Sequence, residues 1–529
     1  MDENRSKNYP KISEPIMIIF VILVSVLGAV IGIQIIAKLG ITPNTSIIGA
    51  LIAMLVARIP ITILKKYHSI YRQNLIQTAT SSATFGAANS LFIPIGIPFV
   101  MGRTDLIIPS LIGAGIAMFI DSFMLYNLFD SSLFPAKEVW APGVATAESI
   151  LAGEQGGHRA GLLGLGGIVG MIGSGFGVQM SALGVAMIGN VFALGMFGIG
   201  LLVIQYAKPL FGINLTAMYV PHGIMVGAGL VALIQAVVLI FGKNTKASAV
   251  ESQNQMTRTK AHTRKSLLLG YLAYLAATLL IAFISGIYTK MPLGQFILFL
   301  LYAALAAIIH EIIVGIAAMH SGWFPAFAVA LITLLIGVLL GFPISALIIM
   351  VAFSTATGPA FADMGYDLKT GYILRGNGKN KNFEKHGRKE QYIIGLIAFL
   401  VALIIMAAFH NSLFSQKLIP PIDSVYASTI HAGASASIAK ALAIWAIPGA
   451  IIQFIGGPSR QLGVMFATGL LITTPNTGWA VLAGLLIKGV ALKVWGKKAN
   501  SQVTILAAGF IAGDALYSFG SSLFQSYRK

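Results

Sequence analysis

Residues 353–374 read FSTATGPAFADMGYDLKTGYIL, an apolar run that is interrupted at Gly358-Pro359 and then carries Asp363. Proline lacks a backbone N–H and glycine is conformationally loose, so this pair predicts a break in a helix. Inside a bilayer such a break is tolerated only against protein or a water-filled cavity. We therefore expect this stretch to line a cavity, with its acid near a membrane edge.

The composition indicates an integral membrane protein. Of the 529 residues, 57% are apolar and only 10% are charged, and the mean hydropathy is +0.84. Apolar stretches long enough to cross the hydrocarbon core recur from end to end. We predict an all-α, polytopic protein with roughly 14–16 membrane segments, some of them broken or re-entrant helices.

The positive charge predicts the orientation in the membrane. The net charge of +18 comes from 35 basic and 17 acidic residues, and the basic ones lie in short loops between apolar runs. This is the bias of cytoplasmic loops rather than a nucleic-acid surface. We expect the basic loops Lys65–Arg72, Lys243–Lys265 and Arg375–Lys389 and the N-terminus to be cytoplasmic, in a protein of the cytoplasmic membrane.

The sequence lacks the motifs that are typical of several classes of protein. The chain has no cysteine, which excludes disulfides and thiolate metal sites. A phosphate-binding Gly-x-x-x-x-Gly-Lys-Ser/Thr loop is absent, so ATP is not expected to drive the protein directly. No nucleophile and base arrangement indicates a hydrolase. We expect no cofactor, no bound metal and no enzyme activity, although a membrane-embedded enzyme acting on lipid and a channel remain alternatives.

The basic linker divides the chain. We predict a cytoplasmic tail over 1–14, a first membrane half over 15–242, a linker over 243–265 and a second membrane half over 266–529. The division follows from charge and composition.

Two short matches suggest that these halves are repeats. Thr-Ala-Thr occurs at 78–80 and again 277 residues later at 355–357, and Val-Trp-Ala at 139–141 resembles Val-Tyr-Ala at 425–427, 286 residues later. Two matches in the same order at similar offsets favour a repeat. Basic residues precede the first Thr-Ala-Thr but follow the second, which favours an inverted repeat of the kind found in transporters.

Three segments carry polar or broken sequence at membrane depth. The run 74–83, NLIQTATSSA, and the following Asn89 predict a polar lining, although Ser and Thr can also bond their own helix carbonyls. The segments Pro135–Glu148 and Pro420–Gly433 are rich in Pro, Gly and Ala, which predicts broken helices or hairpins that enter from opposite faces.

His310 and Glu311 lie in the middle of the apolar run Phe296–Ala318. Ionisable residues at membrane depth are functional candidates by default, and a hydrogen bond between helices is the alternative. We predict that Glu311, with His310 nearby, binds the coupling proton. A metal centre that also included His320 would be geometrically poor, because ten residues span almost three turns.

Four motifs stand out along the chain. They are DLKTGY at 367–372, Asn-x-x-Gln-Thr-Ala-x-Ser at 74–81, Gly-x-Ala-x-Ala-Glu at 143–148, and Gly-x-Ile-Ala-Gly-Asp-Ala-Leu at 509–516. These motifs resemble those of the oligopeptide transporter family, which includes the yellow stripe-like metal-chelate transporters; Asp514 stands where that family has Glu. The resemblance implies secondary active, proton-coupled symport of small oligopeptides or peptide-like compounds. A metal-chelate or siderophore carrier of the same family is the near alternative.

The expected partners are a peptide-like substrate, protons and membrane lipid, with no nucleic acid and with a homo-oligomer left open. For substrate binding we predict six residues, which are Gln77, Thr78, Asn89, Glu148, Asp363 and Tyr426.

Overall fold

The computed structural model describes residues 9–39, 45–58, 66, 68–241, 256–322, 324–433, 436–472, 474, 476–496 and 499–527. Within these residues the backbone is almost entirely helical, and the β-contacts amount to one isolated bridge between Phe129 and Phe134. Helices satisfy their own backbone hydrogen bonds, as a lipid environment requires. The predicted all-α fold is confirmed.

The part of the chain before the linker forms ten α-helices in the described residues. A π-helix over Gly86–Phe92 joins α3 to α4. The helices are α1 Pro15–Leu39, α2 Thr45–Arg58, α3 Ile70–Phe85, α4 Ile93–Val100, α5 Ile107–Leu128, α6 Ala141–Gln155, α7 Gly157–Gly175, α8 Met180–Ile188, α9 Val191–Phe211 and α10 Val220–Phe241.

The part after the linker forms eleven more helices in the described residues. The last turns of α18 contain a kink at Gly457, whose φ is 66°. The helices are α11 Lys260–Ile284, α12 Leu293–Ser321, α13 Ala326–Leu339, α14 Ile344–Ala356, α15 Pro359–Leu374, α16 Lys381–Ser415, α17 Ile422–Ala432, α18 Ala436–Arg460, α19 Leu462–Leu471, α20 Thr477–Trp495 and α21 Ala499–Tyr527.

The helices have the lengths and compositions of membrane spans. Among the described residues, ten spans are long and apolar enough to cross a membrane, and four shorter apolar helices accompany them. Two of the ten are interrupted near their middle: Ile70–Val100 contains the π-helix, and Ile344–Leu374 contains the break between α14 and α15. The prediction of a polytopic membrane protein with broken helices is confirmed.

Corresponding helices of the two halves contact each other reciprocally. In chain order, α7 to α10 match α18 to α21. Helix α7 packs against α21 just as α18 packs against α10, and α9 packs against α19 just as α20 packs against α8. Reciprocal contacts of this kind are what two repeats related by a two-fold axis produce. The predicted boundaries of the halves and their inverted orientation remain predictions.

Glycines bring these crossed helix pairs into backbone contact. A Cβ added at Gly170 of α7 would lie 2.5 Å from the carbonyl oxygen of Phe510 in α21. In the equivalent pair, a Cβ at Gly227 of α10 would lie 1.8 Å from the carbonyl oxygen of Ala446 in α18. Neither position has room for a larger residue, which is the packing that small residues four apart allow between membrane helices.

An asparagine divides the apolar run 178–206 into two helices. The run forms α8 and α9, with a break at Gly189-Asn190. Oδ1 of Asn190 accepts hydrogen bonds from the backbone N–H groups of Phe192 (2.9 Å) and Ala193 (3.3 Å). The Asn side chain thus caps the start of α9, which favours a new helix over continuation of the old one.

The basic segment Arg375–Lys389 is also not simply a loop. Helix α16 begins at Lys381, capped by the side chain of Asn380, so the second half of the segment is helical. Within it, Arg388 is only 1% exposed. Of the other predicted connections, residues 243–255 of the linker and residues 65 and 67 of the loop Lys65–Arg72 lie outside the described residues.

The predicted orientation can be tested at Lys379, which lies in the turn before α16. In this cysteine-free chain, Lys379→Cys introduces a single thiol. We expect an impermeant thiol reagent to label it only from the cytoplasmic side, because the flanking Lys and Arg excess favours that side. Labelling from outside in intact cells would overturn both the topology and the inverted repeat.

Candidate functional site

The Gly358-Pro359 pair interrupts the helix as predicted. Helix α14 ends at Ala356, and α15 begins at Pro359, whose missing N–H costs nothing at a first helical position. Gly358 has a φ of 95°, which L side chains rarely adopt. Its backbone N–H donates a hydrogen bond of 2.6 Å to Oδ2 of Asp121 in α5. The break is therefore tied to a buried acid on another helix.

Asp121 belongs to a set of three buried side chains that meet beside the break. The hydroxyl oxygen of Tyr274 lies 2.6 Å from Oδ1 of Asp121 and 2.5 Å from Oε1 of Glu311. All three residues are at most 1% exposed. Because they come from α5, α11 and α12, they join three helices at one point. We call Asp121, Tyr274 and Glu311 the carboxyl–tyrosine triad.

His310 reaches the same break from the other side. Its Nδ1 lies 3.1 Å from Oγ1 of Thr357 and 3.4 Å from Oγ of Ser354. No described residue pairs with its Nε2. Adjacent residues of a helix point about 100° apart, yet both are linked to the break: His310 contacts Thr357, and Glu311 reaches Gly358 through Tyr274 and Asp121. The predicted proton-coupling residues thus lie at the helix break.

A second buried acidic site lies on α15, about one turn after the start of that helix. Oδ1 of Asp363 accepts hydrogen bonds from Ser81 (2.8 Å) and Thr45 (3.4 Å). Oδ1 of Asp367 accepts from Gln77 Nε2 (2.5 Å) and from a serine hydroxyl of α2, and its Oδ2 accepts from a serine of α3. We call this set the acid–hydroxyl cluster; its members are Asp363, Asp367, Thr45, Ser46, Ser81 and Ser82.

Side chains of the DLKTGY motif form hydrogen bonds to two different parts of the fold. Asp367 faces the hydroxyl-rich helices α2 and α3, whereas Lys369 donates hydrogen bonds of 2.8 Å to the carbonyl oxygens of Ala136 and Glu138. Thr370 donates one of 3.1 Å to the carbonyl of Gly143. The motif therefore holds the non-helical segment before α6. Burial raises the pKa of Glu138 in that segment, against the opposing charge of Lys369.

Gln391 of α16 links the acid–hydroxyl cluster to a set of buried charges. Its Nε2 donates to Thr78 Oγ1 (2.9 Å) and to the carbonyl of Asp367, and its Oε1 accepts from Arg375 (3.0 Å). Arg375 in turn pairs with Glu384 at 2.8 Å. We call this set the arginine cluster; its members are Arg375, Glu384, Arg388 and Asp130.

Two other predicted substrate residues form their contacts elsewhere. Glu148 in α6 forms an ion pair with Arg159 in α7. The hydroxyl of Tyr426 in α17 donates to the carbonyl oxygen of Phe327 (2.8 Å). Asn89 is half-buried in the π-helix. By contrast, Asp363 belongs to the acid–hydroxyl cluster, Gln77 bonds to it, and Thr78 adjoins it through Gln391.

Sequence reasoning missed four buried polar residues. Asp121, Tyr274 and Asp367 form the clusters above, and Asp423, at the start of α17, is fully buried with neither carboxylate oxygen paired in the described part of the chain. Asp121 had a signal, because it is the lone acid of the apolar run 107–129. In the described residues, no group of three or more His, Asp or Glu could hold a metal ion.

The comparison with protein families gives the class. A family model described as "OPT oligopeptide transporter protein" matches residues 15–242 and again residues 219–525. The chain belongs to the OPT oligopeptide transporter family. The resemblance of its motifs is thereby confirmed over almost its whole length. A comparison with curated proteins finds no match.

Members of the OPT family carry oligopeptides across membranes and are transporters rather than enzymes. This transporter is accordingly an integral, multi-pass membrane protein. Its helix break is bonded to one buried acidic site through Asp121, and a second buried acidic site follows on α15.

Proposed function

We propose that this OPT transporter takes up small oligopeptides across the cytoplasmic membrane in symport with protons. The observation that supports it is the position of the Tyr274 hydroxyl between Asp121 and Glu311, at 2.6 and 2.5 Å. A hydroxyl carries one hydrogen and can donate to only one of them. The second short contact therefore needs a hydrogen from a carboxyl group, so this arrangement holds one dissociable proton.

The proposed proton would lie beside the helix break. Asp121 accepts the hydrogen bond of Gly358, whose positive-φ backbone interrupts the span. Removing the proton leaves two buried negative charges around one hydroxyl, which is costly in a medium of low polarity. We propose that the triad then rearranges and that the break moves with it. Protonation would in this way select one conformation of the pathway.

The test is transport by purified protein in liposomes under an imposed pH gradient. We expect saturable uptake of labelled di- to hexapeptides, with accumulation above the outside concentration when the outside is acidic. Uptake that never exceeds equilibrium would indicate a channel. Uptake that requires iron or copper, and stops when a chelator strips the metal, would favour the metal-chelate alternative over peptides.

Glu148 is proposed to bind the amino end of the peptide. The carboxylate of Glu148 already binds the guanidinium of Arg159, so its position suits a cationic group such as the peptide ammonium. We expect Glu148→Gln to weaken binding of a free tripeptide roughly tenfold, the size of a lost charged hydrogen bond. The measurement is a displacement assay with the wild-type protein beside it.

An N-acetylated peptide is the matched control for Glu148. It lacks the α-ammonium group, so Glu148→Gln should leave its affinity unchanged. Equal weakening of free and acetylated peptides would show that Glu148 supports the fold through Arg159 and does not contact the substrate.

A further inference from the structure

The acid–hydroxyl cluster gathers hard oxygen atoms from three helices. Its hydroxyls also contact one another: Oγ of Ser81 lies 3.0 Å from Oγ of Ser46 and 3.3 Å from Oγ1 of Thr45. Every member of the cluster is at most 2% exposed. A hydroxyl that donates its hydrogen to a carboxylate keeps two lone pairs for another partner. The cluster can therefore offer several oxygens to one ligand.

The cluster lacks a cation of its own. Asp363 and Asp367 lie one helical turn apart, and neither forms an ion pair with a Lys, Arg or His among the described residues. Lys369, on the same helix, turns to backbone carbonyls instead. Two buried carboxylates without a countercharge are strongly unfavourable. Charge balance thus calls for an additional positive species.

An unpaired carboxylate oxygen indicates where this positive species would bind. Oδ2 of Asp363 has no hydrogen-bond donor among the described residues, although the residue is 1% exposed. Its other oxygen already accepts from Ser81 and Thr45. Buried carboxylate oxygens are nearly always hydrogen-bonded or bound to a cation. The free oxygen therefore points to a ligand that these side chains would share.

We propose that the acid–hydroxyl cluster is a binding site for a hard monovalent cation, namely Na+. Carboxylate and hydroxyl oxygens suit hard cations. Mg2+ would keep several of its waters, which oxygens at most 2% exposed do not accommodate. One monovalent ion neutralises one of the two carboxylates, and the hydroxyl and amide hydrogen bonds stabilise the charge of the other. The ion would join α2 and α3 of the first half to α15 of the second.

The test measures binding of radioactive Na+ to the purified full-length protein in lipid nanodiscs, with choline replacing Na+ in the controls. We expect saturable binding near neutral pH. Asp363→Asn and Asp367→Asn should each lower the affinity at least about tenfold, the usual loss when a metal site is altered. Ser81→Ala removes one oxygen without changing charge, so it should lower the affinity by a smaller factor while the protein stays monodisperse.

Asp423→Asn is the matched control, because Asp423 is another fully buried acid with unpaired oxygens on a different helix. It should bind Na+ as the wild type does. The proposal is overturned if wild-type protein shows no saturable Na+ binding, if Asp423→Asn loses as much as Asp363→Asn, or if Ca2+ displaces Na+ at far lower concentration. None of these results depends on pH-driven peptide uptake, so the two proposals fail separately.

Discussion

Glu311→Gln is expected to abolish accumulation of peptide under a pH gradient while peptide exchange across the liposome membrane continues. Glutamine resembles the protonated carboxyl group, keeps a hydrogen-bond donor toward Tyr274 and cannot release a proton. A difference of one pH unit supports about tenfold accumulation for each coupled proton. The variant should lose that factor completely, so its internal peptide concentration should stop at the external one.

Two tyrosine variants separate the triad from general damage to the fold. Tyr274→Phe removes the hydroxyl between the two carboxylates, and we expect it to reduce pH-driven accumulation severely. Tyr302→Phe removes another mostly buried hydroxyl, which bonds the carbonyl of Thr333, and it should transport normally. If Glu311→Gln concentrates peptide as the wild type does, the triad is not the coupling site.

Glu384→Gln is expected to destabilise the protein by about 3–5 kcal/mol, the usual cost of removing one partner from a buried ion pair. Glu384 lies between Arg375 (2.8 Å) and Arg388 (3.1 Å), and all three side chains are at most 1% exposed. Without this carboxylate, the positive charges of two buried guanidinium groups are less well neutralised. The measurement is reversible denaturation in mixed micelles, compared with the wild type.

Glu14→Gln is the control for the arginine cluster. Glu14 also pairs with an arginine, Arg72 at 2.7 Å, but its side chain is 30% exposed. Water screens such a pair, and its loss should cost no more than about 1 kcal/mol. Similar losses in the two variants would mean that burial does not set the importance of Glu384.

The features that sequence reasoning predicted are those that a single segment carries. The Gly358-Pro359 break, the polar run of α3 and the acid at Glu311 each follow from local composition, because an apolar span with a proline or a charge is exceptional. The membrane fold follows in the same way from repeated apolar runs.

The partners of these residues could not be predicted, because they come from distant segments. Glu311 meets Asp121, 190 residues earlier, at the hydroxyl of Tyr274, and a tyrosine in an apolar run looks like ordinary core. Arg388 was counted among loop charges, since charge indicates the side of the membrane but not burial. Its pairing with Glu384, four residues earlier, becomes visible only once α16 is known to begin at Lys381.

The crossed glycine contacts between α7 and α21 also bear on how the chain is made. Gly170 finds its partner surface only when Phe510 has been synthesised. At the usual speed of a ribosome this takes roughly 15–70 s after α7 emerges. During that interval a glycine-rich helix stays in the lipid without its neighbour. Packing of this helix pair is therefore a late event in synthesis, and variants that shorten α21 should leave an unfinished protein for membrane proteases.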